Sequence, residues 1–309
     1  QFHFICPDFG NHVIRSAIIT PRKEILLSKN ATTNESHKMD LISFLTRPFI
    51  KQPTTKMASA TVSKIAKVFP KALPNSVLVG KVTEKLTKAG FTKSNTLVAT
   101  SLCCDELARP LEKALGLDYY GEHFSMGGLA GFPHGGLTSF GAMCAHIPDC
   151  GHCLLVYGPH VGVDSKGTVG TVERRGRANG GACCGSATAA CGHVLNVHKN
   201  GNPQDGGVAE LIDAQQANVG KLLMPFAGRL AAASPDDLQV ELSYSLQESQ
   251  QQMIEQIVKK GASSVADGMI AVLGGVQINT PPEMEDYYWP KHFDLYDNKG
   301  VKQDELMWE

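Results

Sequence analysis

Apolar positions Val62, Ile65, Val68 and Phe69 recur at helical spacing, so regular structure is expected from about Lys56. Pro74-Asn75 opens a second helical pattern through Val77, Leu78, Val82 and Leu86, which Gly90 stops. Thr96 to Leu102 is a short buried-strand pattern. Asp105-Glu106 then place acids at the positive end of a helix running through Leu107, Leu111 and Leu115. Residues 121–136 read as a glycine-rich loop and Leu137 to His146 as a short helix. Cys153-Leu154-Leu155-Val156-Tyr157 is the strongest strand pattern, ending at Gly158-Pro159-His160, with a further strand expected over Thr168 to Arg174. An alanine-rich helix follows over Ser186 to Val197, and long helical patterns over Val208–Leu223 and Pro235–Lys260. A late strand is expected over Asp267 to Ile278.

Strands alternating with helices predict an α/β fold with a largely parallel central sheet flanked by helices. Such sheets bind ligands beyond the carboxyl ends of their strands. Cys103, Asp105 and His160 each stand just past a predicted strand end. The 309 residues suffice for one large domain, expected over 57–309, preceded by a basic, polar segment over 1–56. That segment carries eight Lys/Arg against four Asp/Glu and has the flavour of the back end of an organellar transit region. The chain opens on Gln1 rather than Met, as a fragment or processed product would, and Asn30-Ala31-Thr32 and Asn34-Glu35-Ser36 match the glycosylation sequon.

Composition narrows the function classes. Hydrophobic residues make up 42% of the chain, and a net charge of -1 gives no electrostatic case for nucleic acid. No stretch of about 18 apolar residues exists to span a membrane. What is unusual is local: eight of nine Cys lie between Cys103 and Cys191, seven of eleven His between His123 and His198, and 17 of 31 Gly within 121–200. Clustered Cys, His and Gly are what tight turns gathering metal ligands require. An odd number of Cys in a long chain, with two adjacent pairs, argues against a disulfide framework.

Each chemical motif has a plain alternative. In Ser101-Leu102-Cys103-Cys104-Asp105-Glu106, a thiolate two residues from a carboxylate suits a soft divalent ion; the alternative is a buried Cys beside a helix-start Asp. Gly158-Pro159-His160-Val161-Gly162 mounts an imidazole on a stiff turn, fit for a ligand or for a satisfied core histidine. In Gly181-Ala182-Cys183-Cys184-Gly185 the thiols stand where a helix begins, which favours thiolate. Adjacent cysteines cannot easily ligate one ion together, and Cys184, which precedes the glycine, is preferred to Cys183. Cys150-Gly151-His152-Cys153 has the form of a disulfide-exchange motif, but it precedes a strand instead of opening a helix. Arg174-Arg175-Gly176-Arg177 is either a solvated cationic loop or a partner for Asp105.

The order Ser101-x-Cys103-x-Asp105-Glu106, Gly158-Pro159-His160-Val161-Gly162 and Cys184-Gly185, with Gly131-Phe132-Pro133 and His146-Ile147-Pro148-Asp149 between, resembles the limiting-carbon-dioxide-inducible protein B family of algae. The Cys-Gly-His segments at Cys150 and Cys191 bring it closest to the diatom branch, the theta-type carbonic anhydrases. The resemblance is strongest over 95–200 and does not reach 1–56. It implies a fold like beta-class carbonic anhydrases and a catalytic Zn2+ held by Cys103, His160 and Cys184. It also implies an Asp105–Arg174 pair beside the metal, with Arg109 the alternative cation. The implied reaction is reversible hydration of carbon dioxide to bicarbonate by zinc-bound hydroxide, with His123, His134 and His146 as candidate proton relays. The implied setting is a homodimer in the plastid, in stroma or thylakoid lumen, serving an algal CO2-concentrating mechanism. Two other functions stay open: a catalytically silent zinc-containing homologue acting as an assembly subunit, and a thiol-disulfide oxidoreductase through Cys150 and Cys153.

Overall fold

A computed structural model of the chain describes residues 55–201 and 211–308. The N-terminal segment, its two sequons and the first part of the pattern beginning at Val208 lie outside these residues. In chain order, helix α1 (Thr55–Val68) leads to strand β1 (Leu73–Pro74), α2 (Asn75–Lys88) and β2 (Thr96–Ser101). A helical turn at Glu106–Ala108 continues through α3 (Arg109–Glu112) into wider π-type turns over Lys113–Tyr120. Next come β3 (His123–Ser125), α4 (Gly136–Cys144), β4 (His152–Tyr157), β5 (His160–Gly162), β6 (Thr171–Val172) and β7 (Gly181–Ala182). Helices α5 (Gly185–Asn200), α6 (Ala214–Leu223), α7 (Ala227–Ala232) and α8 (Leu238–Gly261) precede β8 (Ile270–Asn279), β9 (Tyr287–Tyr296) and β10 (Lys302–Glu305).

The main sheet runs β1-β9-β8-β4-β2-β3, with β5 beside β8 and β10 beside β9. The β3-β2-β4-β8 half is parallel, while β9 pairs antiparallel with β8, β1 and β10. Every residue of β2 and β8 is buried, which is why neither shows an apolar–polar alternation. One face packs under α2 and the α3 segment through Leu78, Val82, Leu86, Leu111 and Leu115. The other packs under α4 and α8 through Phe140, Met143, Ile254 and Val258. Beyond the strand ends, α5, α6 and α7 gather around Val194, Val219, Leu223 and Leu230, and this cluster includes Cys103 and Cys184.

The structure differs from the sequence pattern in several places: the strand expected over Thr168 to Arg174 is only Thr171–Val172, and β1, β9 and β10 have no counterpart in the pattern. The glycine-rich stretch contains β3, a three-residue edge strand whose shortness hides its period. His160 is not on the turn itself: it opens β5, which pairs with the end of β8 in the register His160↔Gln277. The chain breaks between β4 and β5 at Gly158, where a Cβ would run into the carbonyl oxygen of Gly275. Only glycine permits that close approach.

Candidate metal centre

Three sequence-distant side chains meet at the carboxyl ends of the parallel strands. Cys103 lies two residues past β2, His160 begins β5, and Cys184 immediately precedes α5. One ligand atom from each lies within 4.8 Å of the others, and all three residues are buried. The Cys103 and Cys184 sulfurs are 3.9 Å apart. Two sulfurs bound tetrahedrally at ~2.3 Å from zinc stand roughly 3.8 Å apart, so the spacing suits that ion. The Cys183 sulfur instead sits behind the imidazole, 3.4 Å from His160 Nδ1 and 3.5 Å from Asn279 Oδ1. Of the adjacent pair, the structure brings Cys184 into the cluster and leaves Cys183 behind it.

The three donors influence one another's protonation. Hydrogen bonding with Cys184, reinforced by burial, pushes the Cys103 thiol up to about 12. The same bond lowers Cys184 against the opposing effect of burial. The two sulfurs thus shift in opposite directions, and a divalent ion bound here would need both as thiolates. Burial alone would lower His160, but the neighbouring Cys103 and Cys183 outweigh it and hold the ring well above the ordinary imidazole range. His160 Nε2 is buried and has no hydrogen-bond partner.

Asp105 reaches the same point. Its Oδ1 accepts the Leu107 N–H at 3.0 Å, while Oδ2 lies 4.0 Å from His160 Nε2 and 3.4 Å from Arg174 Nη2. Burial works to raise the carboxyl, yet the Leu107 amide, Glu106, His160 and Arg174 together hold it below the usual aspartate value. Arg174 also lies 3.2 Å from Glu106 and donates to the carbonyl of Ala182 in β7. Arg109 is engaged elsewhere, donating to the Cys103 carbonyl and pairing with buried Glu112. Cys103, Asp105, Arg174 and Cys184 open into one cavity of about 470 Å³, which Arg177 also borders.

The remaining candidates divide. His134 packs on the loop holding Leu129, which borders the cavity; its Nε2 is buried and unpartnered, and burial lowers its pKa. His123 lies 3.5 Å from Glu112 in the layer beneath, and His146 stacks on Phe124. Cys150 is exposed while Cys153 is buried in β4, with burial pushing its thiol strongly up, the reverse of an activated pair. Sequence inspection missed Asn279, whose Oδ1 lies 2.9 Å from His160 Nδ1. Its signal was there in the polar Gln277-x-Asn279-Thr280 closing an otherwise apolar strand.

An α/β domain that gathers two cysteines and a histidine at its strand ends, with a charge-paired carboxylate beside them, has a donor set able to hold a metal ion. The family of limiting CO2-inducible proteins B/C beta carbonic anhydrases matches residues 72–297, and the chain belongs to it. Crystal structures are similar. PtLCIB4, a homolog of the limiting CO2-inducible protein LCIB, is 48% identical with a TM-score of 0.74, over 80% of this chain and 100% of that one. LCIB itself shares the fold at 22% identity and a TM-score of 0.59, over 78% of this chain and 96% of that one. Comparison with curated proteins gave no match.

Proposed function

We propose that the chain is a zinc-dependent carbonic anhydrase interconverting carbon dioxide and bicarbonate. The observation that carries this reading is the convergence of three buried donors within 4.8 Å, beside an Asp105–Arg174 pair, with both cysteines and that pair lining one cavity. Three protein ligands leave a tetrahedral ion one open position, the mark of a catalytic rather than a structural site. Cys103, His160 and Cys184 would hold a zinc ion, which would supply a Lewis acid able to make water acidic near neutral pH. Asp105 Oδ2 accepts the hydrogen bond of the reacting water and turns its lone pair toward carbon dioxide. Leu107 N–H holds the other carboxylate oxygen. Arg174 keeps the carboxylate ionised and draws it away from the metal ligands. Hydration releases one proton per bicarbonate formed, which must leave through the cavity to solvent.

Elemental analysis and stopped-flow hydration on one purified sample test this. About one zinc per chain with hydration above the uncatalysed rate is expected. A second reading, a silent zinc-containing homologue, draws on the 4.0 Å between Asp105 Oδ2 and His160 Nε2. A small swing would let the carboxylate fill the fourth position. One zinc per chain without hydration would favour it. By family membership we also assign the chain, as a theta-type homodimer, to the plastid and to a CO2-concentrating mechanism. Fractionation of cells grown at low CO2 and sedimentation of the purified protein test these assignments.

A further inference from the structure

Behind His160 lies a chain of polar contacts that the reaction does not call on. Asn279, at the end of β8, is completely buried. Its Nδ2 lies 3.0 Å from the Leu107 carbonyl and 3.0 Å from Asp286 Oδ2, and both are acceptors. The amide nitrogen must therefore face that side, which turns Oδ1 toward His160 Nδ1 at 2.9 Å. An oxygen there can only accept, so Nδ1 must carry a proton and Nε2 is the nitrogen left for a ligand. Asp286 is held in turn by Thr280, whose backbone N–H donates to Oδ1 at 2.8 Å. The Leu107 carbonyl that Asn279 grips, with help from Gln277 at 3.0 Å, belongs to the residue whose N–H holds Asp105.

We propose that Asn279, backed by Asp286, is a positioning residue that selects the Nδ1–H tautomer of His160 and ties the metal ligand to the loop carrying Asp105. This rests on the reading of Cys103, His160 and Cys184 as a metal site. The carboxylate–amide–imidazole chain does for this ligand what a directly bonded carboxylate does for many metal-bound histidines: it orients the ring and strengthens the donor. The amide also carries the orientation across to a second loop, because one side chain bonds both His160 and the Leu107 carbonyl. Cys183 adds a thiol 3.5 Å from the same Oδ1 but bonds neither Leu107 nor Asp286.

The test is equilibrium zinc binding, read by competition with a chromophoric chelator, on the full chain and on Asn279→Ala, Asn279→Leu, Gln277→Met and Cys184→Ser. Losing such a support typically costs about 10–100-fold in metal affinity, and both Asn279 variants should fall in that range. Gln277→Met, which leaves the His160 bond intact, should bind zinc as the unaltered protein does. Nitrogen-15 spectra of the zinc-loaded, unaltered protein should show His160 protonated at Nδ1 and metal-bound at Nε2, a readout that needs no variant to fold. Wild-type zinc affinity in folded Asn279→Ala and Asn279→Leu, or metal bound at Nδ1, overturns the proposal while leaving the metal site standing. If the unaltered chain and Cys184→Ser bind zinc equally poorly, the metal reading fails and the proposal falls with it.

Discussion

The two halves of the sheet each bury a histidine beside a carboxylate and treat it in opposite ways. His160, at the carboxyl end of the parallel half, spends Nδ1 on Asn279 and leaves Nε2 without a protein partner. His292, on antiparallel β9, has Tyr157 Oη 2.5 Å from Nε2 and Asp294 Oδ2 2.9 Å from Nδ1, and Lys302 lies 2.7 Å from Asp294. Both rings are withdrawn from water. The difference lies in the neighbours: a histidine set between a tyrosine and an ion-paired aspartate fastens strands together, whereas one whose free nitrogen stands beside two cysteines is placed to serve as a ligand. The same contrast applies to the acids. Asp294 is enclosed by His292 and Lys302, while Asp105 keeps an oxygen on the cavity.

The sharpest way to break this contrast is to remove ligands. Cys103→Ser, His160→Ala and Cys184→Ser should each lose zinc and, with it, essentially all hydration, whereas Cys183→Ser should keep the metal. Zinc retained by Cys184→Ser but lost from Cys183→Ser would reverse the assignment within the pair. Next, Asp105→Asn should keep zinc but lose about 10²-fold or more in hydration rate, within the span of a lost proton-handling group. Arg174→Ala should likewise keep zinc and fall nearly silent around neutral pH, because the released carboxylate competes with water for the open position. Its residual rate should appear only at higher pH, where hydroxide competes better. A wild-type pH–rate profile for Arg174→Ala would remove that residue from the mechanism.

Effects in the antiparallel half should fall on stability. Burial works to raise the Asp294 carboxyl, but His292 and Lys302 hold it below the usual aspartate value. A depressed folded pKa stabilises above the unfolded value of 3.8 and is lost as pH falls through the folded one. Asp294→Asn should therefore cost about 2 kcal/mol at pH 7, measured by denaturant unfolding, with the difference from wild type shrinking toward pH 3. Hydration should be unaffected. Arg109→Ala should likewise spare the chemistry. It leaves buried Glu112 without its cation and the Cys103 carbonyl without a donor, so its effect should fall on stability, by about 3 kcal/mol, with the pH profile of hydration unchanged in shape. Silence in this variant beside an active Arg174→Ala would hand Arg174's role to Arg109.

Legibility followed the same division. The parallel strands β2, β4 and β8 are buried on both faces, so none alternates apolar with polar, and Cys103, Asp105 and His160 stand out as chemistry placed just beyond them. Arg174 was visible only through the cationic loop and family resemblance, since 69 residues separate it from Asp105. Strand β9 carries Pro290, Lys291, His292 and Asp294 among its apolar residues and offers no clean period. Its polar groups are satisfied by Tyr157 and Lys302, partners that only tertiary contact supplies. Asn279 was hidden for the same reason: nothing in local spacing says that an asparagine on β8 will meet a histidine 119 residues earlier.

That separation bears on how the molecule comes into being. Cys103 and Cys184 are 81 residues apart, and the support for His160 arrives only with β8. Small zinc modules gather their ligands from one short stretch and are unfolded until the ion nucleates them. Here the donors belong to strands that must cross most of the domain before pairing, the slow, non-local kind of assembly. The protein scaffold is therefore complete before its pincer can close on an ion. On the proposed zinc reading the ion is a late guest rather than a template, and the refolding rate of the chain should be the same with zinc or with a chelator in the buffer.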